Sequence, residues 1–174
     1  MEPTKYYSNI QEKTIADYLG WDVVAGSGAA SCRPGDISSP DWLGECKTHV
    51  SPGKRIEFKL SVWTKIKDEA VAKFKLPALF VDDGSQKLAR TWVMFPFNLC
   101  GLSKGDVIYQ PFEMCDGSGS SLTTTSFSFK HADLMIHYQS VSKDKIQPVV
   151  LTLDTAAGEV GLCPISVFND LFHK

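Results

Sequence analysis

The chain has no run of 18 apolar residues, so the sequence offers no membrane span. Its first residues, Met1-Glu2-Pro3-Thr4-Lys5-Tyr6-Tyr7, lack the apolar stretch of a secretory signal. The expected location is the cytoplasm, or the cytoplasm of an infected host. Cysteine pairing is missing too: the five cysteines at 32, 46, 100, 115 and 163 form no C-x-x-C and hold no zinc spacing with the four histidines. They read as reduced thiols, mostly in the core. Positive charge is not in excess, with a formal net charge of −2. That balance argues against a uniformly basic nucleic-acid binder but leaves a local patch open. Internal repeats are absent, and low complexity is confined to Asp116-Gly117-Ser118-Gly119-Ser120-Ser121. What remains is a 174-residue chain with 43% hydrophobic and 22% charged residues. Those are globular values, and a chain of this length suits one domain that buries about 70% of its unfolded surface.

The most informative residues are Pro34-Gly35-Asp36 and, nine positions after Asp36, Glu45-Cys46-Lys47. Side chains alternate faces along a strand, so Glu45 and Lys47 point one way and Cys46 the other. Two carboxylates and an amine then converge. Two carboxylates suit Mg²⁺, which keeps several waters and takes few protein ligands. A neighbouring lysine can orient or deprotonate a water and stabilise a phosphate in transfer. The alternative is a solvated sheet face carrying Glu and Lys. Glu12 also has two readings. On a helix over Thr4 to Leu19 it shares a face with Ile15, Ala16 and Leu19, three, four and seven residues on. It is either a helix-edge glutamate reaching water or a third acidic group above the metal site.

A short strand follows at 21–25, then the tight loop Gly26-Ser27-Gly28-Ala29-Ala30. That loop is either a plain hairpin turn or a place where the Ser27 hydroxyl and nearby N–H groups hold a phosphate or a carboxylate. A turn over His49 to Gly53 leads into Lys54 and Arg55. A second helix is expected from Val62 to Lys75, with Val62, Ile66, Ala70 and Phe74 on a four-residue spacing and Pro77 ending it. Strands follow at Ala78–Val81 and Trp92–Phe97. The order is helix, strand, strand, strand, helix, strand, strand. Eight basic residues lie from Lys47 to Lys75 against Glu57, Asp68 and Glu69, whereas Asp106 onward carries eight acidic against four basic. The first set reads as a basic patch or a solvated helix face.

Glu12, G-S-G-A-A at 26–30, P-G-D at 34–36, G-E-C-K at 44–47, W-T-K-I-K-D-E-A at 63–70 and L-P-A-L-F-V at 76–81 together resemble the PD-(D/E)XK nuclease superfamily. Within it they look most like the Holliday junction resolvases of archaeal and phage type. The resemblance covers about residues 5–97. It implies an α/β, restriction-endonuclease-like core, a mixed central sheet flanked by helices. It implies Asp36, Glu45 and the Cys46 backbone carbonyl as ligands of Mg²⁺ or Mn²⁺, with Glu12 completing the acidic site and Lys47 as the catalytic lysine. Ser27 matches the loop serine near the scissile phosphate, and Lys65 a helix residue close to the site. The family's basic residue directly before Gly-Asp is replaced by Pro34, with Arg33 adjacent. DNA-contacting candidates are thus Ser27, Arg33, Lys54, Arg55 and Lys65. The implied partner is DNA, as a four-way or other branched junction cut by a homodimer. A nuclease acting on linear or single-stranded DNA, or a binding module without chemistry, are the alternatives.

The remainder, about 105–174, reads as a β-rich extension. Strands are expected at Val107–Met114 and Thr123–Phe129, forming a hairpin over 107–130, and at Leu134–Tyr138 and Val149–Leu153. A terminal helix is expected at Ser166–His173 with Ser166 as N-cap. Tyr109, Phe112, Phe127 and Phe129 read as core more than as stacking platforms, and His131 and His137 as ordinary histidines.

Overall fold

The computed structural model describes residues 3–25, 33–103, 105–113 and 120–172. Four helices surround a mixed sheet. In chain order the elements are α1 (Pro3–Leu19), β1 (Asp22–Val23), β2 (Ile37–Ser38), β3 (Trp42–Lys47), β4 (Ile56–Lys59), α2 (Leu60–Ala72), β5 (Leu76–Val81) and β6 (Trp92–Phe95). They continue with β7 (Ile108–Pro111), β8 (Ser120–Leu122), β9 (Ser126–Phe129), α3 (His131–Ser142), β10 (Val149–Thr155), β11 (Gly158–Pro164) and α4 (Ile165–Phe172). The central sheet runs β1-β2-β3-β5-β6-β11-β10-β7, and a second sheet runs β4-β9-β8. The pairs β3–β5 and β10–β7 are parallel and the others antiparallel.

Period-two alternation of the central strands divides the core between two faces. Ala78 and Phe80 of β5 pack with Ile15, Ala16 and Leu19 of α1 and with Ile165 and Phe168 of α4. Leu79 and Val81 pack on the other face with Trp63, Ile66 and Ala70 of α2, Leu134 and Tyr138 of α3, and Phe58, Phe127 and Phe129 of the small sheet. Phe168 alone stands 5.0–6.1 Å, ring to ring, from Trp21, Trp42, Phe80 and Phe95.

Several expectations change. The stretch 134–138 is helix, not strand. Ile136 and Tyr138 favour strands, but Leu134 and Met135 are good helix formers, and Leu134 and Tyr138 sit one helical turn apart, both buried, while Ile136 between them is 68% exposed. The Tyr138 hydroxyl donates to the Val149 carbonyl at 2.7 Å, tying α3 to β10. No hairpin spans 107–130, because β7 joins β10 in the central sheet while β9 joins β4 and β8 in the small one. The C-terminal part is not an appendage: β11 pairs with β6, so β10, β11 and β7 complete the sheet begun by β3 and β5. Strand β11 is hidden in sequence by Gly158, Gly161 and Pro164, all poor strand formers. Gly161 is needed there, since a Cβ would lie 3.0 Å from Phe97 Cβ and 3.1 Å from Val150 Cγ1. Ser166 is not an N-cap. Helix α4 begins at Ile165, whose N–H donates to the Thr91 carbonyl at 3.0 Å.

Helix α2 starts two residues earlier than expected, its first N–H donating to the Thr125 carbonyl at 2.9 Å. It also stops at Ala72, well short of Pro77. The stop is made by Phe74 at φ 56°, with the Lys75 N–H returning to the Ala70 carbonyl at 2.9 Å. This left-handed closure favours glycine. Phe74 is 98% exposed and is not part of the buried helix stripe. Replacing it removes strain and little packing. Phe74→Gly is expected to raise stability by about 1 kcal/mol, seen as a melting temperature roughly 2–4 °C higher.

Candidate functional site

Strand β3 places Glu45 and Lys47 on the α2 face, opposite Leu79 and Val81 of β5, and turns Cys46 into the α1 face of the core. Lys47 Nζ lies 2.9 Å from Glu45 Oε1. The hairpin from β2 to β3 brings in Asp36. Its N–H donates to the Gly44 carbonyl at 2.8 Å, and its Oδ2 accepts the Cys46 N–H at 2.9 Å. Gly35, at φ +76°, makes the approach feasible, because any Cβ there would fall 2.6 Å from Leu43 Cδ1. In an extended strand the N–H and C=O of one residue face the same edge. The Cys46 carbonyl is therefore directed to the edge where Asp36 stands.

Helix α1 adds Glu12. Burial pushes its carboxyl up from about 4.5 to about 7, and the charges of Asp36 and Glu45 push in the same direction, against the pull of Lys47. Such coupling puts Glu12 in the field of the other two carboxylates. For Lys47, burial opposes the charged form. The hydrogen bond and charge of Glu45, with the charge of Asp36, outweigh it and raise the ammonium above its ordinary value. Lys47 is thus protonated near neutral pH, suited to binding and orienting an anion more than to removing a proton.

Behind Lys47 lies a polar knot that the sequence did not signal. Gln11, 1% exposed, donates from Nε2 to the Lys47 carbonyl at 2.7 Å and reaches Asp82 Oδ2 at 3.5 Å. Asp82, fully buried, also accepts from the Thr48 hydroxyl and from the Gly84 N–H at 2.8 Å. Burial raises the Asp82 carboxyl, in spite of these donors. Asp83 next to it accepts Arg90 Nη1 at 2.8 Å. Gly84, at φ +92°, admits no side chain, since a Cβ would meet the Ser51 carbonyl oxygen. An amide placed one residue before Glu12 looks like part of the polar helix face, which is why periodicity alone passes it over.

The DNA-contacting candidates do not all gather at this point. Ser27 and its loop lie outside the described residues, as do Cys32 and Cys115. Arg33 donates to the Ala25 carbonyl at 2.8 Å. Arg55 is held on β9, its Nη2 donating to the Ser128 carbonyl and hydroxyl, both at 3.2 Å. The Lys54 side chain is exposed, while its N–H donates to the Asp83 carbonyl at 3.0 Å. Lys65 pairs with Glu69 at 3.6 Å on the outer side of α2. His131 Nδ1 accepts the Trp92 indole N–H at 3.0 Å, and His137 packs edge-on against Phe112, so both serve the core. Of the aromatic set, Phe112, Phe127 and Phe129 are buried and Tyr109 packs on Phe97. Cys46, Cys100 and Cys163 are free thiols.

Among the described residues no three His, Cys, Asp or Glu groups close into a metal cage. Asp36, Glu45 and the Cys46 carbonyl nonetheless supply hard oxygen donors at one strand edge. A hexahydrated-type cation needs few protein oxygens beyond these. Glu12, its carboxyl raised first by burial and then by the charges of Asp36 and Glu45, stands beside these donors. The donor set therefore fits Mg²⁺ or Mn²⁺. No helix among the described residues is long and apolar enough to cross a membrane. No protein family, curated protein or solved structure matches the chain.

The Glu12 shift has a definite sign. An acid whose folded value is raised contributes full stability below its unfolded value and loses it as pH rises through the folded one. Melting temperatures in EDTA should fall from pH 4.5 to pH 7, relative to Glu12→Gln, whose difference curve removes this slope. Adding Mg²⁺ should restore wild-type stability most at the upper end, where the proton is lost.

Proposed function

We propose that the chain is a divalent-metal-dependent endodeoxyribonuclease with a restriction-endonuclease-like core of the PD-(D/E)XK superfamily, of the Holliday junction resolvase type. The observation that supports it best is the convergence of Asp36, Glu45 and Lys47, joined by the Asp36–Cys46 and Lys47–Glu45 contacts of 2.9 Å each. The same triplet on an ordinary solvated sheet would not carry a carboxyl shifted to about 7 beside it.

Asp36, Glu45 and the Cys46 carbonyl would hold the cation, with Glu12 bound directly or through water. When bound, the cation supplies charge neutralisation at the phosphate and a more acidic water. The Lys47 ammonium, 2.9 Å from Glu45, would face the phosphate and orient the attacking water and the non-bridging oxygens. The water oxygen bonds to phosphorus and gives up a proton to solvent, the bond to the 3′-oxygen breaks, and that oxygen takes up a proton from solvent. Products carry 5′-phosphate and 3′-hydroxyl ends. Paired cuts across a junction call for two copies related by a two-fold axis.

A labelled four-way junction, linear duplex and single strand, each incubated with Mg²⁺, Mn²⁺ or EDTA, make the test. Metal-dependent cleavage is expected, with symmetric nicks in the junction. Glu45→Ala, Asp36→Asn and Lys47→Ala should each lower it by at least roughly 100-fold, in the range for loss of a transition-state contact. Cutting of all three substrates would leave a general nuclease on the same residues. Tight binding with no cleavage in either metal would leave a binding module.

A further inference from the structure

Where β3 and β5 begin, the surface carries a projection beside a hollow. Trp42 and Leu76 pair in register there. Lys47 stands at the other end of β3, roughly 16 Å away at the usual rise. The hollow measures about 430 Å³. Leu76, Cys100 and Phe172 supply its apolar lining, and each is only partly buried, so each offers surface. Asp41 and Lys75 add one charge of each sign. Lys75 Nζ donates to the Ser39 carbonyl at 2.7 Å and keeps two N–H groups for further acceptors.

The projection is Phe74. It borders the hollow but is 98% exposed, so its ring does not fill that space. It also holds φ 56°, a backbone position that glycine takes without strain. Val71, one turn earlier on α2, is 66% exposed as well. A solvated phenyl ring on a strained backbone is unfavourable twice over in an isolated chain. Strained positions of this kind cluster at ligand clamps and switch regions.

We propose that Phe74 anchors a two-fold dimer of this chain, each ring seated in the hollow of the other copy. The choice of occupant follows from the patch being its own complement. An apolar cavity of about 150 Å³ already accepts benzene, so the hollow has room for the ring. Projection and hollow lie side by side on one surface. A two-fold axis through that surface therefore engages both at once, and the contact closes on itself. With one charge of each sign, the hollow meets its own copy without net repulsion. The inference does not rest on the nuclease reading, and the contact leaves the edge at Glu45 and Lys47 open. One ring and one hollow per copy fall short of the roughly 800 Å² per partner of a standard interface, so the dissociation constant is expected on the order of 10–100 µM.

Sedimentation equilibrium from about 1 to about 500 µM, in EDTA and without DNA, brackets that value. Wild type should pass from monomer to dimer and stop there. Phe74→Gly removes the ring and suits the backbone, and it should weaken association at least tenfold. Ile146→Ser removes an apolar side chain that is 96% exposed but not part of the hollow, and it should leave association unchanged. Melting separates the effect from folding. The wild-type melting temperature should rise with concentration, because association stabilises the folded state. Phe74→Gly should melt higher than wild type at about 1 µM and show no such rise. A monomer throughout, or a dimer that Phe74→Gly leaves intact, overturns the proposal. So does a monomeric wild type whose affinity for a four-way junction in EDTA falls on Phe74→Gly, which would assign the ring to nucleic acid as a wedge between bases.

Discussion

Strand β2 pairs with β3 only at Leu43 and Gly44, so the next donor along that edge, the Cys46 N–H, has no strand beside it. The Asp36 carboxylate takes the place of a strand at 2.9 Å. A buried N–H needs an acceptor, and a charged one is stronger than a carbonyl. This bond brings Asp36 to the Glu45–Lys47 stretch, and much of the neighbourhood exists to permit it. Gly35 lets the chain pass Leu43. Gly44 does the same one strand over, where a Cβ would lie 2.9 Å from both Ile37 Cγ1 and the Phe80 ring. The parallel pairing of β3 with β5 then fixes which face each residue of the strand serves.

That arrangement collects more negative charge than it can hold comfortably. Glu12 lies in the field of Asp36 and Glu45, with Lys47 as the cation beside them. Without a metal the conflict is relieved twice, by a proton on Glu12 and by the ion pair between Glu45 and Lys47. A divalent ion would relieve it once, displacing the proton and releasing the lysine. The metal-free arrangement and a metal-bound one would thus compete for the same two groups. Strain of this kind is expected at functional sites and not in a solvated sheet face. The buried knot of Gln11, Thr48 and Asp82 has a different task. It fixes the backbone at Lys47 from behind, so the side chain can exchange partners while its anchor stays still.

How far the sequence revealed this depends on the range of each signal. Alternation within β3 is local, and it placed Glu45, Cys46 and Lys47 correctly. The face of α1 is local too, and Glu12 came with it. By contrast, the pairings of β11 with β6 and of β4 with β9 join distant segments. Ile56–Lys59 is a four-residue strand that runs straight into a helix, and its partner lies some seventy residues on, at Ser126–Phe129. Nothing in a window of either segment announces the other. The stretch Leu134–Tyr138 is too short and too mixed in preference to decide, with Ile136 and Tyr138 favouring strand and Leu134 and Met135 helix, and the burial of Leu134 and Tyr138 one turn apart accompanies the helix that forms. Gln11 and Asp82 were missed because a buried polar group looks, in sequence, like an exposed one.

The uneven charge of the chain gains meaning from the sheet order. Lys47, Lys54, Arg55 and Lys59 belong to β3, β4 and the turn between them. Asp154 and Glu159 face each other across β10 and β11, an exposed like-charge pair that costs stability where it stands. Three and four strand spacings separate β11 and β10 from β3, about 15–19 Å at the usual interval. That exceeds a Debye length at physiological salt, so the two ends act as separate fields. Glu12, Asp36, Glu45 and Glu57 share that end with those four cations, so net charge near zero conceals a mixed field at one end of the sheet and a like-charge pair at the other. Screening over that distance leaves the side chains around Lys47 to be governed by their own neighbours, the Glu45 ion pair first among them, and not by the far edge of the sheet.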